Sequence, residues 1–202
     1  MMYYLLALIL ALLPTSTSSF NIVIAGGTGS VGQYLSSILH NQDEGHKITI
    51  LCRNAFLASA PARVSSDFGW VGTSFLDEHE SVKLRDWDGG DLTDIVGCDW
   101  MGWQEDTLKD ADCVINLVGG YTEQRVMACE RIIRESLRLN TAAKQLLLSL
   151  EDVDLVTTLK KNRAKQCEEM LLANCGGSVC LRGELNDMER TCSMIMDEIK
   201  KL

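Results

Sequence analysis

The chain is 202 residues long, 46% hydrophobic and 23% charged, which is enough apolar material for one core and too little length for several. Its 28 acidic residues against 19 basic ones give a net charge of −9, which argues against a nucleic-acid partner and against an anionic membrane surface. No Cys-x-x-Cys pair occurs and no cysteine lies at zinc-ligand spacing with the three histidines, so no metal site is expected.

Residues 1–19 stand apart. Tyr3 to Leu13 is an unbroken apolar run of eleven, followed by Pro14 and the polar stretch Thr15 to Ser19. That run is too short to span a bilayer and suits the apolar segment of a secretory signal, although no basic residue precedes it. Small residues at Thr17 and Ser19 permit cleavage before Phe20. The expectation is a targeting segment over 1–19 that leads into the secretory route, with an uncleaved anchor as the alternative. No stable membrane span is expected once it is removed. A phenylalanine at the presumed cleavage point resembles plastid targeting in algae with secondary plastids, which makes the plastid one destination. Residues 20–202 are read as one domain. The eight cysteines could form a secreted disulfide framework, but settings such as Asp112-Cys113-Val114-Ile115 read as buried free thiols, which favours a reducing compartment.

The first element of that domain is the most informative. Ile22-Val23-Ile24 is a short apolar strand that runs into Gly26-Gly27-Thr28-Gly29-Ser30-Val31-Gly32 and then into Gln33 to Leu39, which has helical spacing. Strand, glycine turn and helix follow in the order a dinucleotide site requires. Gly26 allows the tight turn, Gly29 lets backbone approach a pyrophosphate, and Gly32 lets helix pack closely on strand. Amide groups at the helix start, with the positive end of its dipole, would hold the phosphates. The alternative is a glycine-rich turn with no ligand.

After a polar break at Asn41 to Gly45, Lys47 to Arg53 reads as the second strand. No Asp or Glu stands at its end to hold a ribose 2′-hydroxyl, while Arg53 could pair with a 2′-phosphate, so NADP(H) is favoured over NAD(H). Ala55 to Ala60 looks helical up to Pro61, and the stretch to residue 81 has no clear period. Val82 to Trp87 is a third strand, Asp99 to Trp103 a short strand or loop, and Glu105 to Asp110 a helix start. Three of the four tryptophans fall between 87 and 103, and core packing explains them more simply than ligand stacking.

Cys113 to Gly120 is the strongest buried strand. Its glycine-closed end belongs beside the cofactor at the switch point of a doubly wound sheet. A long helix is expected from Glu123 to Ser149, with Ile132, Ile133, Leu137, Leu139 and Leu146 to Leu148 on its apolar side and Arg131, Arg134 and Arg138 as a stripe that is either a solvated face or salt-bridged to Glu130 and Glu135. Then come a strand over Val153 to Leu159, a helix over Lys161 to Asn174 stopped by Gly176-Gly177, a short strand over Ser178 to Gly183, and a closing amphipathic helix over Met188 to Lys200. The alternation predicts an α/β fold: a Rossmann-like, doubly wound three-layer sandwich on a mainly parallel sheet, with a reduced substrate lobe.

Together these residues resemble the short-chain dehydrogenase/reductase superfamily, in the atypical or extended branch that holds NAD(P)-dependent epimerase/dehydratase-like and NmrA-like proteins. Gly26 to Gly32 resembles the family's glycine turn, and Arg53 the basic residue after its second strand. Asn116-Leu117-Val118-Gly119-Gly120 resembles the strand end that lines the nicotinamide, with Val118 where alanine is usual. Lys165-x-x-Glu168 followed by Leu181-Arg182-Gly183 is similar to a passage of atypical members, with Glu184 in place of the family's last glycine. The resemblance implies cofactor contacts at Gly26, Thr28, Gly29, Ser30, Val31, Gly32, Arg53, Asn116, Leu117, Val118 and Gly119.

The departures bear on chemistry. The family's Tyr-x-x-x-Lys pair uses a tyrosinate as acid/base and a lysine that lowers its pKa. With Lys165 aligned to that lysine, Lys161 stands at the tyrosine position, and Thr157-Thr158 replaces the upstream serine. Thr157, Lys161 and Lys165 are therefore the candidate catalytic set. One function implied is an NAD(P)-dependent oxidoreductase or epimerase acting on an unidentified small molecule. The other is a catalytically inactive dinucleotide-binding sensor, scaffold or assembly factor that acts through a protein partner.

Overall fold

A computed structural model describes residues 19–42, 45–64, 69–90, 99–119, 122–150, 158–183 and 187–202. Six strands, β1 (Asn21–Ala25), β2 (Lys47–Cys52), β3 (Val82–Asp86), β4 (Cys113–Asn116), β5 (Lys144–Leu150) and β6 (Val179–Gly183), form a sheet in the order β3-β2-β1-β4-β5-β6. Every neighbouring pair is parallel. The order reverses between β1 and β4, because the chain leaves β1 towards one edge and returns to β4 to build the other.

Among the described residues six helices lie between strands, α1 (Ser30–Asn41), α2 (Ala55–Ala58), α3 (Thr73–Glu78), α4 (Trp103–Thr107), α5 (Glu123–Leu139) and α6 (Thr158–Asn174), and a seventh, α7 (Met188–Ile199), follows β6. Side chains alternate across a strand, so the sheet feeds two cores. Ile22, Ile24, Ile48, Ile50, Ile115, Leu146 and Leu148 face α1 and α7, where they meet Leu35, Leu39, Ile195 and Met196. Val23, Ala25, Leu51 and Val114 face the other way, onto Trp103, Leu108, Ala128 and Ile132. Leu147 lies over Cys129, Ile133, Cys167 and Leu171 of α5 and α6. This is the three-layer α/β sandwich with a parallel sheet that the alternation implied.

Two elements correct the sequence reading. The helix expected from Glu123 to Ser149 stops at Leu139, where Asn140 turns extended at φ −152° and its side-chain amide donates to the Ala111 carbonyl at 2.8 Å. Lys144–Leu150 is instead a central strand between β4 and β6. The residues of the apolar run Leu146-Leu147-Leu148 point alternately into the two cores, as in a strand covered on both faces, rather than along one side of a helix. Of the strand expected over Val153 to Leu159, residues 153–157 lie outside the described residues. Thr158 and Leu159 open α6.

The segment from Asp99 is a loop through Gly102, and Trp103 begins α4. Trp87 and Trp103 are buried core residues packed edge to face at 5.5 Å, as their setting implied. Six of the seven described cysteines are buried and all seven are free thiols; Cys98 lies outside the described residues.

Candidate functional site

The reversal between β1 and β4 leaves a crevice at the carboxyl ends of the two strands, the place where open α/β sheets take ligands. Its floor is the turn after β1. Gly26 has φ +77°, and a Cβ there would sit 2.7 Å from the Val118 backbone nitrogen, so the β1 and β4 walls touch backbone to backbone. Leu117 N donates to the Ala25 carbonyl at 2.8 Å across the same junction. A Cβ on Gly32 would fall 2.3 Å from Gly27 Cα, which is the close packing of helix on turn that the third glycine was expected to provide.

Gly29 is different. Its φ is −77°, open to any residue, and the nearest atom to a Cβ there is the Gly26 carbonyl oxygen at 3.8 Å. Nothing among the described residues requires a glycine at that position. Gly29 is also the N-cap of α1, no side chain caps the helix, and its first turn carries no acidic residue. An uncapped, uncharged helix start at the crevice suits an anion.

The other turn residues divide by burial. Ser30 is exposed at the first position of α1, while Val31 is 5% exposed and belongs to the core, so only its backbone faces the turn. Thr28 is covered by the segment at 69–72: a Cβ on Gly69 would meet Thr28 Oγ1 at 2.2 Å. Gln33 Nε2 holds the two together, donating to the carbonyls of Thr28 at 2.8 Å and Trp70 at 2.9 Å. The sequence reading gave no role to that segment or to Gln33.

On the β4 side, Asn116 is buried and its Oδ1 accepts from Val118 N at 3.0 Å, which shapes the turn Leu117-Val118-Gly119. Leu117 and Val118 are half-buried, and a Cβ on Gly119 would meet nothing within 4 Å. On the β2 side, Arg53 is half-buried, with its aliphatic stem 3.5 Å from a Cβ position on Gly89. Asn54 caps α2 by accepting from Leu57 N at 2.9 Å, and the Asp86 carboxylate at the end of β3 accepts from Ala55 N and Asp99 N.

The candidate catalytic residues are only partly brought together. Thr157 lies outside the described residues. Lys161 is half-buried and Lys165 exposed, one turn apart on α6. The motif residues Glu168 and Arg182 pair at 3.1 Å and tie α6 to β6. A residue that sequence reasoning passed over is Ser149. It is fully buried near the end of β5, and its hydroxyl has no hydrogen-bond partner among the described residues. Ser149 lies two residues beyond Leu147, the last residue of β5 in register with β4, and is level with Arg182 of β6. The signal that could have found it is the two-faced apolar run before it, which marks a buried strand.

No protein-family model and no curated protein matches the chain. Solved structures do. One is the NADPH-dependent quinone oxidoreductase of Escherichia coli complexed with NADPH: TM-score 0.53, 20% identity, over 80% of this chain and 48% of that one. The enzyme WbmG of Bordetella bronchiseptica in complex with NAD aligns at TM-score 0.56 and 15% identity, over 84% of this chain and 55% of that one. ADP-L-glycero-D-manno-heptose-6-epimerase of Helicobacter pylori gives 0.54 and 15%, over 84% and 56%. The chain shares the Rossmann-like α/β fold of these structures. It spans about half the length of these three structures.

Proposed function

We propose that the chain binds a nicotinamide dinucleotide in the crevice between β1 and β4, with NADP(H) favoured over NAD(H), as an oxidoreductase of the epimerase/dehydratase kind. The observation that carries this reading is Gly29. Gly26 and Gly32 are demanded by contacts within the protein, whereas Gly29 has an unconstrained backbone and open space where its side chain would be. A glycine there is accounted for by a ligand that approaches the backbone. The helix start behind it supplies amides and a positive dipole end for a pyrophosphate. Gly26, Thr28, Ser30, Val31 and Gly32 complete the phosphate turn, and Asn116 to Gly119 form the nicotinamide wall. Arg53 faces the 2′-phosphate of NADP(H), through which its planar fork separates the two cofactors. The three neighbours are reported with NADPH, with NAD or as an epimerase, which agrees with this reading.

A bound nicotinamide supplies hydride transfer. The chain's own residues bind and orient. The buried Ser149 hydroxyl is a donor for a substrate oxygen, and Lys161 and Lys165, with Thr157, are the remaining candidates for moving a proton. A second reading, a catalytically inactive dinucleotide-binding sensor or scaffold, is favoured by Lys161 at the tyrosine position and by Lys165 being exposed. Thermal shift with NADPH, NADP⁺, NADH and NAD⁺ tests binding, since a ligand of the native state raises its apparent stability. Absence of a shift with all four overturns both readings. If one binds, cofactor turnover against carbonyl and nucleotide-sugar panels, with Ser149→Ala and Lys161→Ala alongside, separates enzyme from sensor.

The segment 1–19 is proposed to direct the chain into the secretory route, with the plastid as one destination. No helix among the described residues is long and apolar enough to cross a membrane. A mature amino terminus at Phe20, read from protein isolated from its own cells, is the expected result; an intact Met1 overturns the cleavage.

A further inference from the structure

Gly29 is flanked by two peptide units, and one residue holds both of them. The main-chain N of Gln33 donates to the Gly29 carbonyl at 3.0 Å, and its side-chain Nε2 donates to the Thr28 carbonyl at 2.8 Å. A peptide unit is planar, so a carbonyl held in place also orients the amide on its other side. Nε2 has a second proton, which goes to the Trp70 carbonyl at 2.9 Å. Both partners are acceptors only, so it is the amino end of the Gln33 amide that serves them.

Trp70 lies in a strap, residues 69–72, that is anchored away from the turn. Val71 N and Gly72 N donate to the Ala58 carbonyl at 2.8 and 2.9 Å, and Trp70 Nε1 donates to the Ala60 carbonyl at 2.7 Å. Thr73 Oγ1 adds a bond to the Ser59 carbonyl at 2.6 Å. These bonds hang the strap on the carboxyl end of α2, whose amino end is capped by Asn54, next to Arg53. The strap is also shaped to the turn. Gly69 has φ +74°, and a Cβ there would strike the Thr28 side chain; Gly72 has φ +88°, and a Cβ there would fall 2.7 Å from the Trp70 ring. Val71 between them is 3% exposed.

We propose that Gln33 is a positioning residue for the pyrophosphate, which braces the Thr28–Gly29 peptide against the strap and so presets the phosphate turn. This rests on the reading that a dinucleotide binds at Gly29. Gln33 acts through the backbone it holds, not through contact with the cofactor. Without its side chain, that peptide is restrained by the turn's own bond from Gly29 N to the Gly26 carbonyl, which is long at 3.4 Å. A turn ordered before the ligand arrives spares the ligand the cost of ordering it. The gain is shared by every ligand that places a pyrophosphate at Gly29, and it is blind to the 2′-phosphate.

The test is titration calorimetry of the full chain with NADPH, NADH and ADP. Gln33→Met keeps the length of the side chain and removes both donors. The expected result is a loss of affinity of roughly 5- to 10-fold for all three ligands, the scale of a lost hydrogen bond, with the NADPH-to-NADH ratio unchanged. A role in stability alone would lower the Tm and leave the affinity of the folded chain as it was. In a Gly29→Ala background the same substitution costs less than about twofold, because the pyrophosphate is already displaced from the braced peptide. Trp70→Phe cuts the strap from Ala60, leaves the turn's residues intact, and gives the same pattern at smaller size; it decides the matter if Gln33→Met does not fold. Wild-type affinity in a folded Gln33→Met chain overturns the proposal and leaves the dinucleotide reading standing. A changed NADPH-to-NADH ratio overturns it by placing Gln33 at the 2′-phosphate, and full additivity with Gly29→Ala does so by separating it from that peptide. If the wild-type chain binds none of the three ligands, the dinucleotide reading falls and the proposal with it.

Discussion

Gly26 and Gly29 belong to one turn, yet their substitution should have opposite consequences. Gly26→Ala places a side chain at φ +77° and 2.7 Å from the Val118 backbone. The expected loss is about 3 kcal/mol, read by urea unfolding, from the strained dihedral together with the clash. Gly29→Ala meets only a carbonyl at 3.8 Å and should leave the Tm within about 2 °C of wild type. Its effect belongs in binding: NADPH affinity falls by about tenfold or more, the scale of 1.4 kcal/mol. Unchanged affinity in a folded Gly29→Ala protein removes the argument for the phosphate turn. Arg53→Ala tests the other end of the cofactor. Loss of a charge-assisted contact weakens NADPH by roughly 10- to 100-fold and NADH little, measured by titration calorimetry. Equal weakening of both counts against a 2′-phosphate contact.

Among the elements, α5 shows how charge spacing reads correctly in part. The expected pairing of its arginines with Glu135 is present: Arg131 at 3.1 Å, Arg138 at 2.8 Å and Arg134 at 3.5 Å. The deeper partner of Arg131 is Asp88, whose carboxylate is 1% exposed and accepts from Arg131 at 2.8 Å and from Gly90 N at 3.0 Å. That pairing spans 43 residues and no local periodicity encodes it. Arg131→Met strands a buried carboxylate and should cost about 3–5 kcal/mol in urea unfolding, while Arg138→Met, on the surface, should move the Tm little. The Glu198 carboxylate is held below its ordinary 4.5 by hydrogen bonds from Lys201 and Lys144, the second joining the start of β5 to α7. Its folded value is depressed, so its contribution is present above the ordinary carboxylate range and is lost as the pH falls through that lower value. In Lys144→Met, part of that loss is already present at neutral pH, so the acid limb of a Tm–pH series flattens.

The same element scale explains what could be read from sequence. β1, its turn and α1 were legible because a strand, three glycines and a helical period are all local. β5 was not. A strand buried on both faces has no polar side to mark its alternation, and Thr141-Ala142-Ala143 offers no glycine or proline to end the helix before it. With Lys144–Leu150 read as helix, the burial of Ser149 on a central strand could not be seen.

At the scale of the whole molecule, α7 is the last piece of the layer over Ile22, Ile24 and Leu35, with Cys192, Ile195, Met196 and Ile199 turned inward. A chain stopped after Gly183 should expose that layer and be recovered aggregated, as judged by size-exclusion chromatography; a monomeric, cooperatively melting product contradicts this account of the core. The strand order has a further consequence, for synthesis. β1 pairs on one side with β2, which follows almost at once, and on the other with β4, where Asn21 N reaches Asp112 across 91 residues. During translation the amino-terminal half can therefore assemble β1, β2 and β3 while the far edge of β1 has no strand to pair with. That open apolar edge persists until the segment at 113–116 has been made, which is the interval in which a nascent chain of this topology is most exposed to wrong partners and most dependent on chaperones.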